Sequence, residues 1–171
     1  MTPRLDLQNV PRQQSGTLAN LLQLYLHDFS EFAEFGTARG EVGPDGRFPY
    51  QWLDYYWQEE GRVPLFIRAD GQLAGFALVN RWSALNRPLD HAMAEFFILR
   101  RYRRQGIGSL AAAMAFARFP GRWEVPATWY NRPALAFWRR AISAAIGENP
   151  HEHAVEGERW HGTVFCFIAN G

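Results

Sequence analysis

Apolar positions along this chain follow two rhythms, one of period two and one near 3.6, and the changes between them predict its elements. Leu5, Leu7 and Val10 form a short run stopped by Pro11, the pattern of an edge strand. Leu18, Leu21, Leu22, Tyr25, Leu26 and Phe29 then keep helical spacing. Ser15 or Thr17 is the expected cap of that helix, Phe32 and Phe35 its extension, and Gly36 its stop. Residues 36–47 are rich in glycine and read as a loop. A second helix is expected from Phe48-Pro49-Tyr50-Gln51-Trp52 through to Glu60, closed by Gly61. Val63 to Ala69 and Gln72 to Asn80 read as strands joined by the hairpin dipeptide Asp70-Gly71. A loop over residues 81–90 precedes a strand from His91 to Leu99, and an alanine-rich helix follows, ended by Phe119-Pro120-Gly121. Trp123 to Trp129 reads as a strand, and Asn131-Arg132-Pro133 opens a helix that closes at Gly147. Residues 148–153 read as a polar, turn-like tail, and Thr163 to Ala169 as a final strand. This order is that of a mixed α/β layered domain, taken to span residues 1–171 as one unit.

One stretch organises the rest: Ala94 to Phe116, AEFFILRRYRRQGIGSLAAAMAF. An apolar strand there passes through an arginine-rich turn, tightens at Gly106-Ile107-Gly108 and leaves as a helix. The first N–H groups of a helix have no intrahelical partner and sit at the positive end of its dipole. Glycines let that backbone approach an anion, and Arg103 and Arg104 add planar forks suited to phosphate oxygens. The stretch reads as a pyrophosphate cradle. A P-loop is excluded because no Gly-Lys-Ser/Thr is present, and no carboxylate follows at the distance a dinucleotide-binding fold uses for ribose. An ordinary strand–turn–helix connection with a solvated arginine face is the plain alternative.

The string resembles motif A of the GNAT-type N-acetyltransferases, whose [QR]-x-x-G-x-[GA] stands here as Arg103-Arg104-Gln105-Gly106-Ile107-Gly108. Asn131-Arg132-Pro133-Ala134-Leu135-Ala136-Phe137-Trp138 matches the same family's N-x-x-A-x-x-F-[YW]. The resemblance implies a mostly antiparallel mixed sheet with helices on both faces, and acetyl-CoA as cofactor. It implies cofactor contacts at Phe96, Phe97, Ile98, Arg103, Arg104, Gln105, Gly106, Ile107, Gly108, Ser109, Asn131 and Phe137. It also implies that the cofactor arm enters where the fourth and fifth strands splay apart, and that the acceptor is a primary amine of a small molecule or peptide. Glu95, a carboxylate inside an apolar strand, is the candidate base, taking the amine's proton through water. Its other reading is a structural carboxylate bonding an arginine or a backbone group. Relatives usually carry Tyr where this chain has Trp138, and an indole N–H is no proton donor at a useful pKa. The general acid is therefore unassigned, and a domain that binds acyl-CoA without turnover stays open.

Composition narrows the partners. Net charge is +1, so no global field draws the chain to nucleic acid or a membrane, and the arginines at 100–104 are a local device. One cysteine, Cys166, excludes an internal disulfide and fits a reducing compartment; with no signal peptide legible, a cytoplasmic location is expected. His151, His153, His161 and Cys166 match no closed zinc spacing, so no metal is expected. Phe48, Tyr50, Trp52, Tyr55, Tyr56 and Trp57 exceed what one helix face buries. The expectation is that Trp52, Tyr55 and Tyr56 pack inward; alternatively the group lines an acceptor pocket, a partner surface or a homodimer contact. Asp28, Glu31, Glu34, Asp54, Glu59 and Glu60 would suit a cationic amine.

Overall fold

The computed structural model describes residues 3–33, 40–157 and 160–171. Its elements run β1 (Leu5–Asn9), α1 (Ser15–Ser30), β2 (Val63–Ala69), β3 (Gln72–Asn80), β4 (His91–Ile98), α2 (Ile107–Arg118), β5 (Gly121–Ala127), α3 (Arg132–Ile146), β6 (His151–Glu156) and β7 (His161–Ala169). Seven strands form one sheet in the order β1-β2-β3-β4-β5-β7-β6. Every neighbouring pair is antiparallel except β4 with β5. Helices cover both faces, as expected. On one, Leu18, Leu21 and Leu22 of α1 pack with Val10, Tyr56, Phe66, Phe76, Leu78 and Phe97. On the other, α2 and α3 cover Leu65, Ile67, Ala77, Val125 and Phe165. Covered on both sides, β2 and β3 read as continuous apolar runs rather than alternating ones.

The chain departs from expectation in three places. The segment 48–60 is not a helix; only a single 3-10 turn forms, Asp54–Trp57. Its aromatics serve partners in different directions, which no one helix face could satisfy. Phe48 meets His27, Tyr50 reaches Glu95, and the Trp57 indole N–H donates to the Val10 carbonyl at 2.8 Å. Tyr56 packs inward as expected, but Trp52 and Tyr55 stay 50% and 37% exposed, their rings 6.0 Å apart on the surface. Second, α1 has no side-chain cap: a 3-10 turn at Arg12–Gln14 runs straight into it, placing Ser15 and Thr17 inside the helix. The expected extension at Phe35 and stop at Gly36 lie outside the described residues. Third, the polar tail forms β6, an edge strand whose residues are mostly exposed and whose order comes from the backbone of β7. Asn131 and Gly147 behave as read: the Asn131 side chain accepts from the Ala134 N–H, and Gly147 ends α3 at φ 78°.

Candidate active site

The site is assembled on β4. Opposite β3, the register of β4 slips by one residue: Leu78 faces Glu95, but Val79 faces Met93. Ala94 is the extra residue of a β-bulge, which re-aims the side chain beside it. Met93, Phe96 and Ile98 pack on the α2/α3 face, whereas Ala94, Glu95 and Phe97 turn to the α1 face.

There Glu95 meets hydroxyls rather than an arginine or a backbone group. Tyr25 from α1 donates to Oε2 at 2.6 Å, and Tyr50 donates to Oε1 at 3.1 Å. Burial pushes Glu95 up to about 7, against the opposing pull of the two hydroxyls. Its proton therefore titrates at neutrality, the property a general base needs. Burial and the charge of Glu95 raise the tyrosines in turn, Tyr25, Tyr50 and Tyr56 all lying above the ordinary phenol range, so they remain O–H donors.

At the far end of β4 the arginine turn leads into α2. Gly106, at φ 78°, is the left-handed residue that turns the chain into the helix, and Arg104 precedes it at φ 61°. No hydrogen-bond partner for the N–H groups of Arg104, Gln105, Gly106, Ile107, Gly108 and Ser109 is present among the described residues; the first amide of α2 to be satisfied is that of Leu110, on the Gly106 carbonyl at 3.0 Å. Ile107 is 1% exposed and anchors the turn in the core. The motif's two arginines differ. Arg103 donates from Nε to the Ile98 carbonyl at 2.7 Å and from Nη2 to Asp28 at 2.6 Å, with its guanidinium 5.3 Å over the Phe97 ring. Arg100 donates to the other Asp28 oxygen at 2.6 Å. Burial acts to raise Asp28, and hydrogen bonds from these arginines outweigh it and hold the carboxyl low. Arg104 is exposed and makes no ion pair among the described residues. Gln105 folds its amide back onto the Arg101 carbonyl.

Beside the cradle the sheet opens. Parallel pairing of β4 with β5 is limited to His91 with Trp123 and Ala92 with Glu124. Leu99 donates its N–H to the Ala74 carbonyl of β3, so by antiparallel alternation Glu95 and Phe97 bond towards β3. Phe96 and Ile98 thus direct their backbone groups into the gap, where Arg103 already takes the Ile98 carbonyl. The gap's wall is aromatic: the Phe96 ring stacks on Phe137 at 5.8 Å and meets Trp138 edge-on at 5.0 Å. A Cβ on Gly108 would come within 3.2 Å of the Phe137 ring, so glycine there lets α2 and α3 close on each other. Asn131 caps α3 through Oδ1, leaving its amide nitrogen uncommitted among the described residues. Trp138 is 6% exposed and its indole N–H has no partner among the described residues.

Of the acids noted as suiting an amine, three are engaged elsewhere, Asp28 as above, Asp54 by Arg12 at 3.0 Å and Glu59 by Arg62 at 2.5 Å, while Glu31 and Glu60 are exposed and make no ion pair among the described residues. Glu34 lies outside the described residues. Sequence reasoning missed three contributions: Tyr25 and Tyr50 as partners of Glu95, the Asp28 tether between α1 and the arginine turn, and Glu124. The last is 1% exposed and binds the loop between β3 and β4. Its carboxylate accepts from Ser83 Oγ at 3.0 Å, Ala84 N–H at 3.0 Å and Arg87 Nε at 3.0 Å. A carboxylate alternating with Trp123 and Val125 in a strand was the available signal. Cys166 is buried as expected, its thiol pushed up to about 11 by burial.

The fold has counterparts among solved structures. No curated protein matches the sequence. An acetyltransferase from Thermus thermophilus superposes with a TM-score of 0.64 at 16% identity, covering 98% of both chains. The spermidine N-acetyltransferase of Vibrio cholerae, in complex with CoA and spermine, superposes with a TM-score of 0.61 at 12% identity, covering 96% of this chain and 95% of that one. A dodecameric form of the Vibrio cholerae enzyme gives 0.57 at 11% identity, covering 96% and 94%. Among the described residues no helix is long and apolar enough to cross a membrane. The model of the acetyltransferase (GNAT) family matches residues 19–142, from the helix that bears Tyr25 to the helix that bears Trp138, and this chain belongs to that family.

Proposed function

We propose that this chain transfers the acetyl group of acetyl-CoA to a primary amine of a small molecule or peptide, by direct attack with both partners bound. The observation that carries the reading is the parting of β4 from β5 beside a run of unpaired amides. The residues present fit the cofactor: amides 104–109 and the Arg104 fork suit its pyrophosphate. The free backbone groups of Phe96 suit its amide-bearing arm, and the Asn131 amide and the Phe137 ring flank the same gap. Ile98 borders the gap, and Arg103 serves it by pinning the end of β4 to Asp28; Phe97, expected as a cofactor contact, instead turns its ring to the α1 face and its backbone to β3. Acetyl-CoA, when bound, supplies the acetyl group as a reactive thioester. Glu95 accepts the ammonium proton through water, and its position near neutrality keeps a large fraction ionised at pH 7 to 8. The Phe96 N–H, on the adjoining residue and turned away from β3, polarises the thioester oxygen in this reading.

A second reading, acyl-CoA binding without turnover, is favoured by Trp138, which puts an indole where relatives usually carry a phenol. Both readings are tested first by thermal unfolding with and without acetyl-CoA. Ligand at about 100 times its Kd stabilises by about 2.7 kcal/mol, a rise of roughly 5–10 °C for a domain of this size. Gly106→Trp is the blocked control, and absence of a rise in the wild type rules out both readings. Coenzyme A release with a panel of amines then separates them; spermidine belongs in the panel because a superposable enzyme acts on it. Release with any amine refutes the silent reading.

A further inference from the structure

Glu95 is gripped from two sides by hydroxyls that both depend on α1. Tyr25 stands on α1 itself, while Tyr50 belongs to the irregular segment before the 3-10 turn. That segment is clamped to the helix by one side chain: Gln23 Nε2 donates to the Phe48 carbonyl at 3.0 Å, and the Phe48 N–H donates to Gln23 Oε1 at 2.8 Å. Tyr25 is locked in turn by ring contacts with Phe76 and Phe97, both 5.9 Å away. Resting on the reading of Glu95 as the base, we propose that Tyr25 and Tyr50, with Gln23 behind Tyr50, are positioning residues that hold the Glu95 carboxylate in one orientation and stabilise its ionised form, setting the pH at which the site works.

An ionised carboxylate has about four lone-pair sites, and the tyrosines occupy two, one on each oxygen. The remaining sites stay open to water or to an ammonium. Hydrogen bonds to a charged acceptor are about twice as strong as neutral ones, so two hydroxyls offset part of what burial takes from the anion. No arginine or lysine contacts this carboxylate among the described residues. The other polar groups facing it are the Tyr56 hydroxyl, from the 3-10 turn, and beyond it Arg62 and Asn80. Arg62 lies 5.5 Å over the Tyr56 ring, and Asn80 donates to the Tyr56 hydroxyl at 3.5 Å. Leu78 of β3 and Phe97 of β4 supply only apolar surface.

The test reads Glu95 directly, in the whole chain and without any substrate. Protein labelled with ¹³C at glutamate Cδ is titrated by NMR from about pH 5 to 9; the signal missing from Glu95→Gln is that of Glu95. A wild-type midpoint near 7 is expected. Tyr25→Phe and Tyr50→Phe should each move it upward by about one pH unit, and Gln23→Leu should move it the same way by less. Midpoints unchanged in the Phe variants would overturn the proposal, because a purely structural role lowers Tm without moving the titration. Tyr50 lies outside the helices and the sheet, so Tyr50→Phe keeps the test available if Tyr25→Phe does not fold. Coenzyme A release is measured separately. If the midpoints move but no amine is acetylated, the positioning role stands and the enzymatic reading falls. If acetylation occurs with unmoved midpoints, the reverse holds.

Discussion

Replacing Glu95 by glutamine should stabilise this protein at alkaline pH while disabling it. Folding moves the Glu95 carboxyl from 4.5 to about 7, chiefly because burial strips water from its charge. Between those values the folded state binds more protons than the unfolded one, so stability falls as pH rises through the window and is flat on either side of it. At 1.36 kcal/mol per pH unit, the ionised group makes the folded state less stable by about 3 kcal/mol above pH 7. Glutamine keeps the size and an acceptor oxygen and carries no charge at any pH. The variant's advantage should therefore be near zero at pH 4.5 and grow to about 3 kcal/mol by pH 8. With about 2–4 °C per kcal/mol for a chain of this length, the gap in Tm widens by about 6–12 °C. Paired thermal melts across that range measure it, and comparing the curves cancels the titration of every other group. Parallel curves would refute the reasoning, showing that Glu95 does not carry a desolvated charge. Turnover at pH 7.5 should fall sharply in the same variant while the thermal response to acetyl-CoA persists.

Two further outcomes follow from burial and close approach. Glu124→Ala leaves Ser83, the Ala84 amide and Arg87 without their shared acceptor, which costs about 2–3 kcal/mol. It should also expose the chain at Arg81, the bond before Trp82, to trypsin; an unchanged cleavage rate would show that the carboxylate does not hold this loop. Gly75→Ala places a Cβ on the Phe97 carbonyl, backbone that cannot yield without parting β3 from β4. A loss of about 3 kcal/mol is expected in urea melts, at the upper end for overpacking, and a loss below about 1 kcal/mol would contradict the packing.

Local information sufficed wherever an element's residues and its cause lie close together in the chain. The β2–β3 hairpin turns at Asp70-Gly71, α3 starts on the Asn131 cap and stops at Gly147, and the cradle needs only glycines at the mouth of a helix. Those signals act over a few residues, so the motifs, the order of most elements and the candidate base were legible. What decides the chemistry at Glu95 acts over far greater separations. Tyr25 and Tyr50 lie 70 and 45 positions from it, and Asp28 lies 75 from Arg103. No periodicity records such distances. The segment 48–60 defeats its helical reading for the same reason: each of its aromatics answers to a different part of the fold, so tertiary contacts override helical spacing. β6 exists because β7 offers an edge, which its own polar residues do not announce. Sequence alone placed a carboxylate in a strand that leads into a glycine turn and a helix mouth. Only the folded chain surrounded it with tyrosines and opened the sheet next to it, because desolvation, hydrogen-bond geometry and strand splay are properties of neighbours in space.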